Sequence, residues 1–136
     1  MHHLHLVQTV GETPIVELRH LSPNPSVRLF AKLEGFNPTG SIKDRIVRHM
    51  IQHAEREGRI VPGDTLIEAS TGNTAIALAM IGRAMGYRAQ IVMPENVFPA
   101  IPRMLEAYGA TVEWVPAAAG VPAAIATARE RGGSRD

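Results

Sequence analysis

One lysine, Lys43, stands where an amine could act as a nucleophile. It follows a loop that ends in Gly40, and Ser41 with Asp44 three residues later forms a pattern typical of a capped helix start. The first turn of a helix carries the positive end of the helix dipole, which disfavours the ammonium form of a lysine there. A neutral amine can form a Schiff base with a carbonyl compound. The pattern indicates a candidate nucleophile, and the alternative is a solvated lysine at an ordinary helix start.

A second segment, residues 70–74 (Ser-Thr-Gly-Asn-Thr), has the composition of an anion-binding loop. It follows the short apolar run 65–67 and precedes the apolar run 75–80, so the sequence predicts a strand, a polar loop and a helix. Backbone N–H groups at such a helix start bind carboxylates or phosphates, and hydroxyl groups add donors. Taken alone, the segment is more typical of an ordinary strand-to-helix turn capped by Asn73 or Thr74.

Strands and helices alternate along the chain that must position these two segments. Apolar periodicity and Gly or Pro boundaries predict strands at 15–18, 27–33, around Leu66, 89–93 and 111–115, and helices at 42–57, 73–85, 102–108 and 121–131. This alternation predicts an α/β fold with a mostly parallel sheet flanked by helices. Ligands of such sheets gather at the carboxyl ends of the strands, where loop 70–74 should lie.

The amino-acid composition argues against several kinds of binding partner and metal site. The 136 residues are enough for one domain, 45% of them are hydrophobic, and the net charge of +1 gives no reason to expect nucleic acid or a membrane as partner. The absence of cysteine excludes disulfides and thiolate metal sites and agrees with a cytoplasmic location. His2, His3 and His5 have no neighbouring carboxylate or cysteine in the sequence, so we expect no metal site there.

Together the two segments resemble the fold type II pyridoxal-phosphate enzymes, in particular the cysteine synthase (O-acetylserine sulfhydrylase) and cystathionine β-synthase family. The resemblance runs from about Gln8 to about Val115. Further motifs in the family's order are VGETPIV (10–16), KLEGFNP (32–38), GYR (86–88), VMPEN (92–96) and YGA (108–110). The resemblance implies a three-layer α/β/α architecture like that of the tryptophan synthase β-subunit.

The resemblance also implies pyridoxal 5'-phosphate as the cofactor and a role for each matching residue. Lys43 matches the family's Schiff-base lysine, and Asn73 matches the residue that hydrogen-bonds the phenolic oxygen of the cofactor. The loop that grips the carboxylate of the amino acid substrate is matched by Ser70, Thr71, Gly72 and Thr74. The family usually has Thr-Ser where this chain has Ser70-Thr71, so either hydroxyl could grip the substrate.

The implied activity is the synthesis of L-cysteine from O-acetyl-L-serine and a sulfur donor by β-replacement, in an enzyme that is a homodimer when full-length. One alternative is a cystathionine β-synthase-like β-replacement enzyme. Another is a non-catalytic remnant that acts only by binding a partner.

The extent of the resemblance sets a further expectation. Residues 1–136 match the N-terminal portion of the family: its small domain and the segment with the cofactor lysine. The glycine-rich loop that binds the cofactor phosphate follows this portion in family members. We therefore expect a truncated form of the fold, and a 136-residue chain that is inactive on its own.

Overall fold

The computed structural model describes residues 5–133, in which strands and helices alternate as the sequence predicts. The strands are β1 (Ile15–Glu17), β2 (Phe30–Lys32), β3 (Thr65–Ala69), β4 (Arg88–Pro94) and β5 (Thr111–Val115). The α-helices are α1 (Lys43–Arg56), α2 (Asn73–Ala84), α3 (Ala100–Ala107) and α4 (Gly120–Gly132). Of the three N-terminal histidines, His2 and His3 lie outside the described residues.

The strands form two separate sheets. β3, β4 and β5 form a parallel sheet with β4 in the centre, whereas β1 and β2 pair antiparallel as a small hairpin. The predicted strand 27–33 is shorter in the structure, because the N–H of Val27 bonds to the carbonyl of Asn24 in a turn. Only Phe30–Lys32 therefore pairs with β1.

Helices cover both faces of the parallel sheet. Along β4, Ile91 and Met93 point to the side of α2, while Val92 between them packs with Ala124 of α4. All three β4 side chains are fully buried, as expected for a central strand covered on both faces. The arrangement is the predicted three-layer α/β/α architecture.

The two helices nearest the predicted site differ in burial. Residues 75–82 of α2 are all buried, which agrees with their nearly uniform apolar character. Helix α1 packs on α2 through Val47 and Ile51 and leaves its opposite face exposed. A third helix, α3, starts two residues earlier than predicted; Pro102 fits in its first turn, where the backbone N–H has no intrahelical acceptor.

Within residues 5–133 no helix has both the length and the apolar character needed to cross a membrane. The same residues contain no group of three or more histidine, aspartate or glutamate side chains arranged to hold a metal ion.

Candidate active site

The start of α1 and the start of α2 lie at the same end of the parallel sheet. A short connection joins the end of α1 to the beginning of β3, so α1 runs antiparallel to β3 and its first residues lie beside the carboxyl end of that strand. Loop 70–72 follows β3 directly and leads into α2. This is the edge where parallel α/β sheets bind ligands.

The loop before Lys43 is held by a tight turn. The N–H of Gly40 bonds to the carbonyl of Asn37 at 2.8 Å, and Gly40 has a φ of +82°. A residue with a Cβ atom is strained at this φ, so glycine suits the position. The N–H of Lys43 donates to Ser41 Oγ at 3.2 Å, and Lys43 is the first residue of α1.

The predicted pairing of Ser41 with Asp44 is wrong. The Asp44 carboxylate reaches back five residues to Thr39 instead, and accepts bonds from the Thr39 N–H at 2.8 Å and from the Thr39 hydroxyl. Asp44 is fully buried. The bonds from Thr39 satisfy both oxygens of a carboxylate that is costly to bury without donors.

Lys43 differs from the charged residues around it. Its side chain is half-buried, and its amine has no hydrogen-bond or ion-pair partner among residues 5–133. The nearby cations are engaged: Arg45 pairs with Glu34, and Arg48 donates to the carbonyl of Val10 at 2.7 Å. An amine without a partner in the protein remains available to a ligand.

A polar cluster fixes the residues on either side of this lysine. Arg45 donates to both oxygens of Glu34, at 2.7 and 3.1 Å, and to Thr13 Oγ1 at 3.0 Å. Thr13 and the Asn37 amide also donate to Glu34, and the N–H of Gly11 donates to Asn37 Oδ1. The Arg45 guanidinium, aided by Asn37 and Thr13, lowers the pKa of Glu34 to about 2. The cluster therefore ties the N-terminal segment and the 34–37 turn to the first turn of α1.

Loop 70–72 ends β3 with donors that face no acceptor in the described chain. The hydroxyl oxygen of Ser70 accepts bonds from the N–H groups of Gly72 and Ala75, at 3.4 and 3.3 Å. Within residues 5–133 the N–H groups of Thr71, Asn73 and Thr74 have no acceptor. Donors of this kind at the start of a 12-residue helix can bind an anion.

A cleft of about 330 Å³ runs between α1, α2 and β3. Most of its walls are apolar, with Val47, Met50 and Leu78 among the lining residues, and Thr74 and Glu68 contribute polar groups. Burial raises the pKa of the Glu68 carboxyl. Lys43 lies one helical turn before Val47, so the lysine and Thr74 stand near the same end of the cleft.

The structure thus places every predicted site residue at one end of the sheet, in two segments. Ser70, Thr71, Gly72, Asn73 and Thr74 form one loop and helix start, and Lys43 begins the neighbouring helix. No hydrogen bond joins Lys43 to that loop in the described chain. Sequence reasoning missed the supporting residues Thr13, Glu34 and Asn37, because the contacts that fix them join residues 11 to 32 positions apart and form only in the folded chain.

Comparison with known proteins places the chain among enzymes. Residues 6–134 match the family described as pyridoxal-phosphate dependent enzyme. The chain is 50% identical over 105 residues to cysteine synthase B of Salmonella typhimurium, an alignment that covers 77% of this chain and 35% of that protein.

Solved structures give the same result. The fold matches O-ureido-L-serine synthase with a TM-score of 0.90 at 35% identity, over 97% of this chain and 42% of that one. It matches O-acetylserine sulfhydrylase isoform 3 of Entamoeba histolytica with a TM-score of 0.88 at 36% identity, over 96% of this chain and 40% of that one. The chain therefore spans less than half the length of these relatives.

These matches confirm the resemblance to cysteine synthases and the predicted fold class. The chain belongs to the family of pyridoxal-phosphate dependent enzymes.

Proposed function

We propose that this chain supplies the nucleophilic lysine and the carboxylate-binding loop of a cysteine synthase, which makes L-cysteine from O-acetyl-L-serine and a sulfur donor. The observation that carries the proposal is the amine of Lys43, which has no partner among residues 5–133, at the same end of the sheet as a helix start whose N–H donors have no acceptor among those residues. The similarity to cysteine synthase B and to O-acetylserine sulfhydrylase supports the choice of substrate.

The residues fit pyridoxal 5'-phosphate. The cofactor needs an amine to hold its aldehyde carbon, and Lys43 is one of only two lysines in the sequence; the other, Lys32, donates to the carbonyl of Thr13 at 2.6 Å. Asn73 stands exposed at the start of α2, where its amide would donate to the phenolic oxygen of the cofactor. When bound, pyridoxal phosphate acts as an electron sink for the α-carbon of the substrate.

In this proposal Lys43 has two tasks. Its Nζ would hold the cofactor, and the same amine would take the proton from the substrate α-carbon. Because the described residues offer no carboxylate partner to Nζ, the amine is not held away from these tasks by an ion pair.

The loop would bind the α-carboxylate of the amino acid. The hydroxyl groups of Thr71 and Thr74 and the N–H groups of Thr71, Asn73 and Thr74 supply donors, and Gly72 leaves room for a ligand because no atom lies within 4 Å of the position of a Cβ there. Ser70 uses its oxygen as an acceptor for Ala75, so its hydroxyl proton is still available to the substrate.

The proposal includes a homodimer in the cytoplasm that acts on a small amino acid. The absence of cysteine from all 136 residues agrees with a reducing compartment. The dimer is proposed by analogy with the cysteine synthases.

The test joins this chain to the C-terminal portion of the Salmonella relative. We expect the chimera to show the absorbance band of a lysine-bound cofactor and to make cysteine from O-acetylserine and sulfide. Lys43→Ala should abolish the band and lower the rate by about 10²-fold or more, the range for loss of a general base. Lys32→Arg is the matched control and should retain both. A full band and unchanged turnover in Lys43→Ala would refute the proposal.

A further inference from the structure

The carboxylate next to the proposed nucleophile does not serve it as acid, base or counter-ion. Asp44 is fully buried, and its two oxygens accept the N–H and the hydroxyl of Thr39. Successive residues of a helix point to different faces, so the side chains of Asp44 and Lys43 point in different directions, with that of Asp44 toward the interior.

The hydrogen bonds between Thr39 and Asp44 close a short loop that leads into Lys43. Gly40, Ser41 and Ile42 lie between the two bonded residues, and Lys43 directly precedes Asp44. Arg45, the next residue, is fixed to Glu34 and Thr13. The backbone of Lys43 is therefore bounded on its C-terminal side by two residues whose side chains are held by bonds to earlier parts of the chain.

We propose that Asp44 is a positioning residue, whose hydrogen bonds to Thr39 fix the backbone of the 39–44 loop and so direct the Lys43 amine to the cofactor. This inference rests on the proposed role of Lys43 as the cofactor lysine. The action is geometric and does not depend on the negative charge of Asp44. An asparagine at this position can accept the Thr39 N–H and donate to the Thr39 hydroxyl, whereas an alanine makes neither bond.

The other charged groups around the start of α1 do not provide the same support. Glu34 is bonded to Arg45, Arg48 to the carbonyl of Val10, and Glu68 faces the cleft beside Thr74. Helix α2, which packs against α1, has no charged side chain before Arg83.

Amide hydrogen exchange on the 136-residue chain tests the pair directly. In Asp44→Ala we expect peptides covering residues 39–44 to exchange about tenfold faster than in the wild type, because the loop loses both hydrogen bonds between Thr39 and Asp44. Asp44→Asn and Thr39→Ser should stay near the wild type, and Thr39→Val should fall between. Asp64→Ala is the matched control, since it removes a carboxylate that accepts the N–H of Val61 in a distant turn. Wild-type exchange in Asp44→Ala, or equally fast exchange in Asp44→Asn and Asp44→Ala, would overturn the inference. If Asp44→Ala does not fold, the exchange rate of Thr39→Val, which loses the hydroxyl bond, is compared with that of Thr39→Ser, which keeps it.

Labelling of the two lysines tests whether the pair directs the amine. The chain is treated with pyridoxal 5'-phosphate and sodium borohydride, and peptide masses give the ratio of label on Lys43 to label on Lys32. We expect Lys43 to be preferred in the wild type, Asp44→Asn and Thr39→Ser, and the ratio to approach one in Asp44→Ala. An unchanged ratio in Asp44→Ala despite faster exchange would overturn the positioning role. A wild type without preference for Lys43 would contradict the proposed function instead, while faster exchange in Asp44→Ala would still support the bonded pair.

Discussion

The hydroxyl group of Tyr87 donates a hydrogen bond of 2.8 Å to the carboxylate of Glu55, and so ties the residue before β4 to α1. Tyr87 is only 2% exposed, whereas Glu55 is half-buried. Because α1 carries Lys43 at its other end, this bond helps to hold the helix of the candidate site against the sheet.

Tyr87→Phe should lower the free energy of unfolding by about 1 kcal/mol, the net value of one such hydrogen bond. Thermal or urea unfolding measures the change. Tyr108→Phe is the matched control, since the Tyr108 hydroxyl has no partner in the described residues, and it should unfold like the wild type.

Burial, with the Glu55 bond, raises the pKa of Tyr87 to about 12 from 10.0. The contribution of this group to the free energy of unfolding is present below pH 10 and is lost as the pH rises toward 12. The stability of Tyr87→Phe should not show this decrease.

The Glu34–Arg45 pair should make stability sensitive to acid. The pKa of Glu34 falls from 4.5 to about 2, so its contribution is present above pH 4.5 and is lost as the pH drops toward 2. Glu34→Gln should be less stable than the wild type at neutral pH, and the difference should shrink across this range. Unfolding curves at several pH values measure it, with Glu106→Gln on the exposed face of α3 as the control. A difference that does not depend on pH would show that the pair contributes through packing alone.

Gly40→Ala isolates the cost of backbone conformation. No atom lies within 4 Å of the position of a Cβ at Gly40, and its φ is +82°. We expect a loss of about 1–2 kcal/mol in the free energy of unfolding, the cost of the left-handed region for an ordinary residue. Gly132→Ala has the same open space without a positive φ, and it should have little effect. Equal losses in the two variants would contradict this explanation.

Donors in the 70–74 loop should govern substrate affinity in the chimera with the Salmonella C-terminal portion. Thr71→Val or Thr74→Val should weaken amino acid binding by roughly tenfold or more, because a hydrogen bond to a charged carboxylate contributes about 1.5–3 kcal/mol. The cofactor spectrum should not change. Asn73→Ala should instead shift that spectrum. Thr127→Val on α4 is the control. Substrate titrations and spectra measure the changes. If the three loop variants have the same substrate affinity and the same cofactor spectrum as the control, the loop is only the start of a helix and does not bind the substrate.

The 136-residue chain alone should have no measurable cysteine synthase activity and should self-associate. Ile42 directly before α1 and Ile46 and Met50 within it are 44–59% exposed and follow one another at intervals of four residues. Such a stripe favours association. Sedimentation should show concentration-dependent oligomers that Ile46→Lys reduces, whereas Val121→Lys, at a similarly exposed apolar position of α4, does not. Turnover near that of a full-length relative would contradict the first expectation.

The sequence was most informative where a local pattern decides the structure. Strand β5 at 111–115 and the buried helix from Asn73 follow from apolar runs and glycine boundaries, and the structure confirms them. The strand predicted at 27–33 was too long, because Val27 bonds to Asn24 in a turn and does not pair with β1. The burial of Asp44 was not predictable, since an aspartate in a first helical turn is ordinarily an exposed cap, and its partner Thr39 is identified only by the fold of the loop.

The long contacts of the polar cluster have a consequence for folding. The bonds of Gly11 to Asn37, Thr13 to Arg45 and Val10 to Arg48 join residues 26, 32 and 38 positions apart. Each bond forms only after the intervening chain has closed into a loop, which costs entropy before the contact contributes. Helix α1 can form from local interactions, but the setting of its first lysine depends on this closure. The candidate site should therefore be completed late in folding, after the helix that carries its nucleophile.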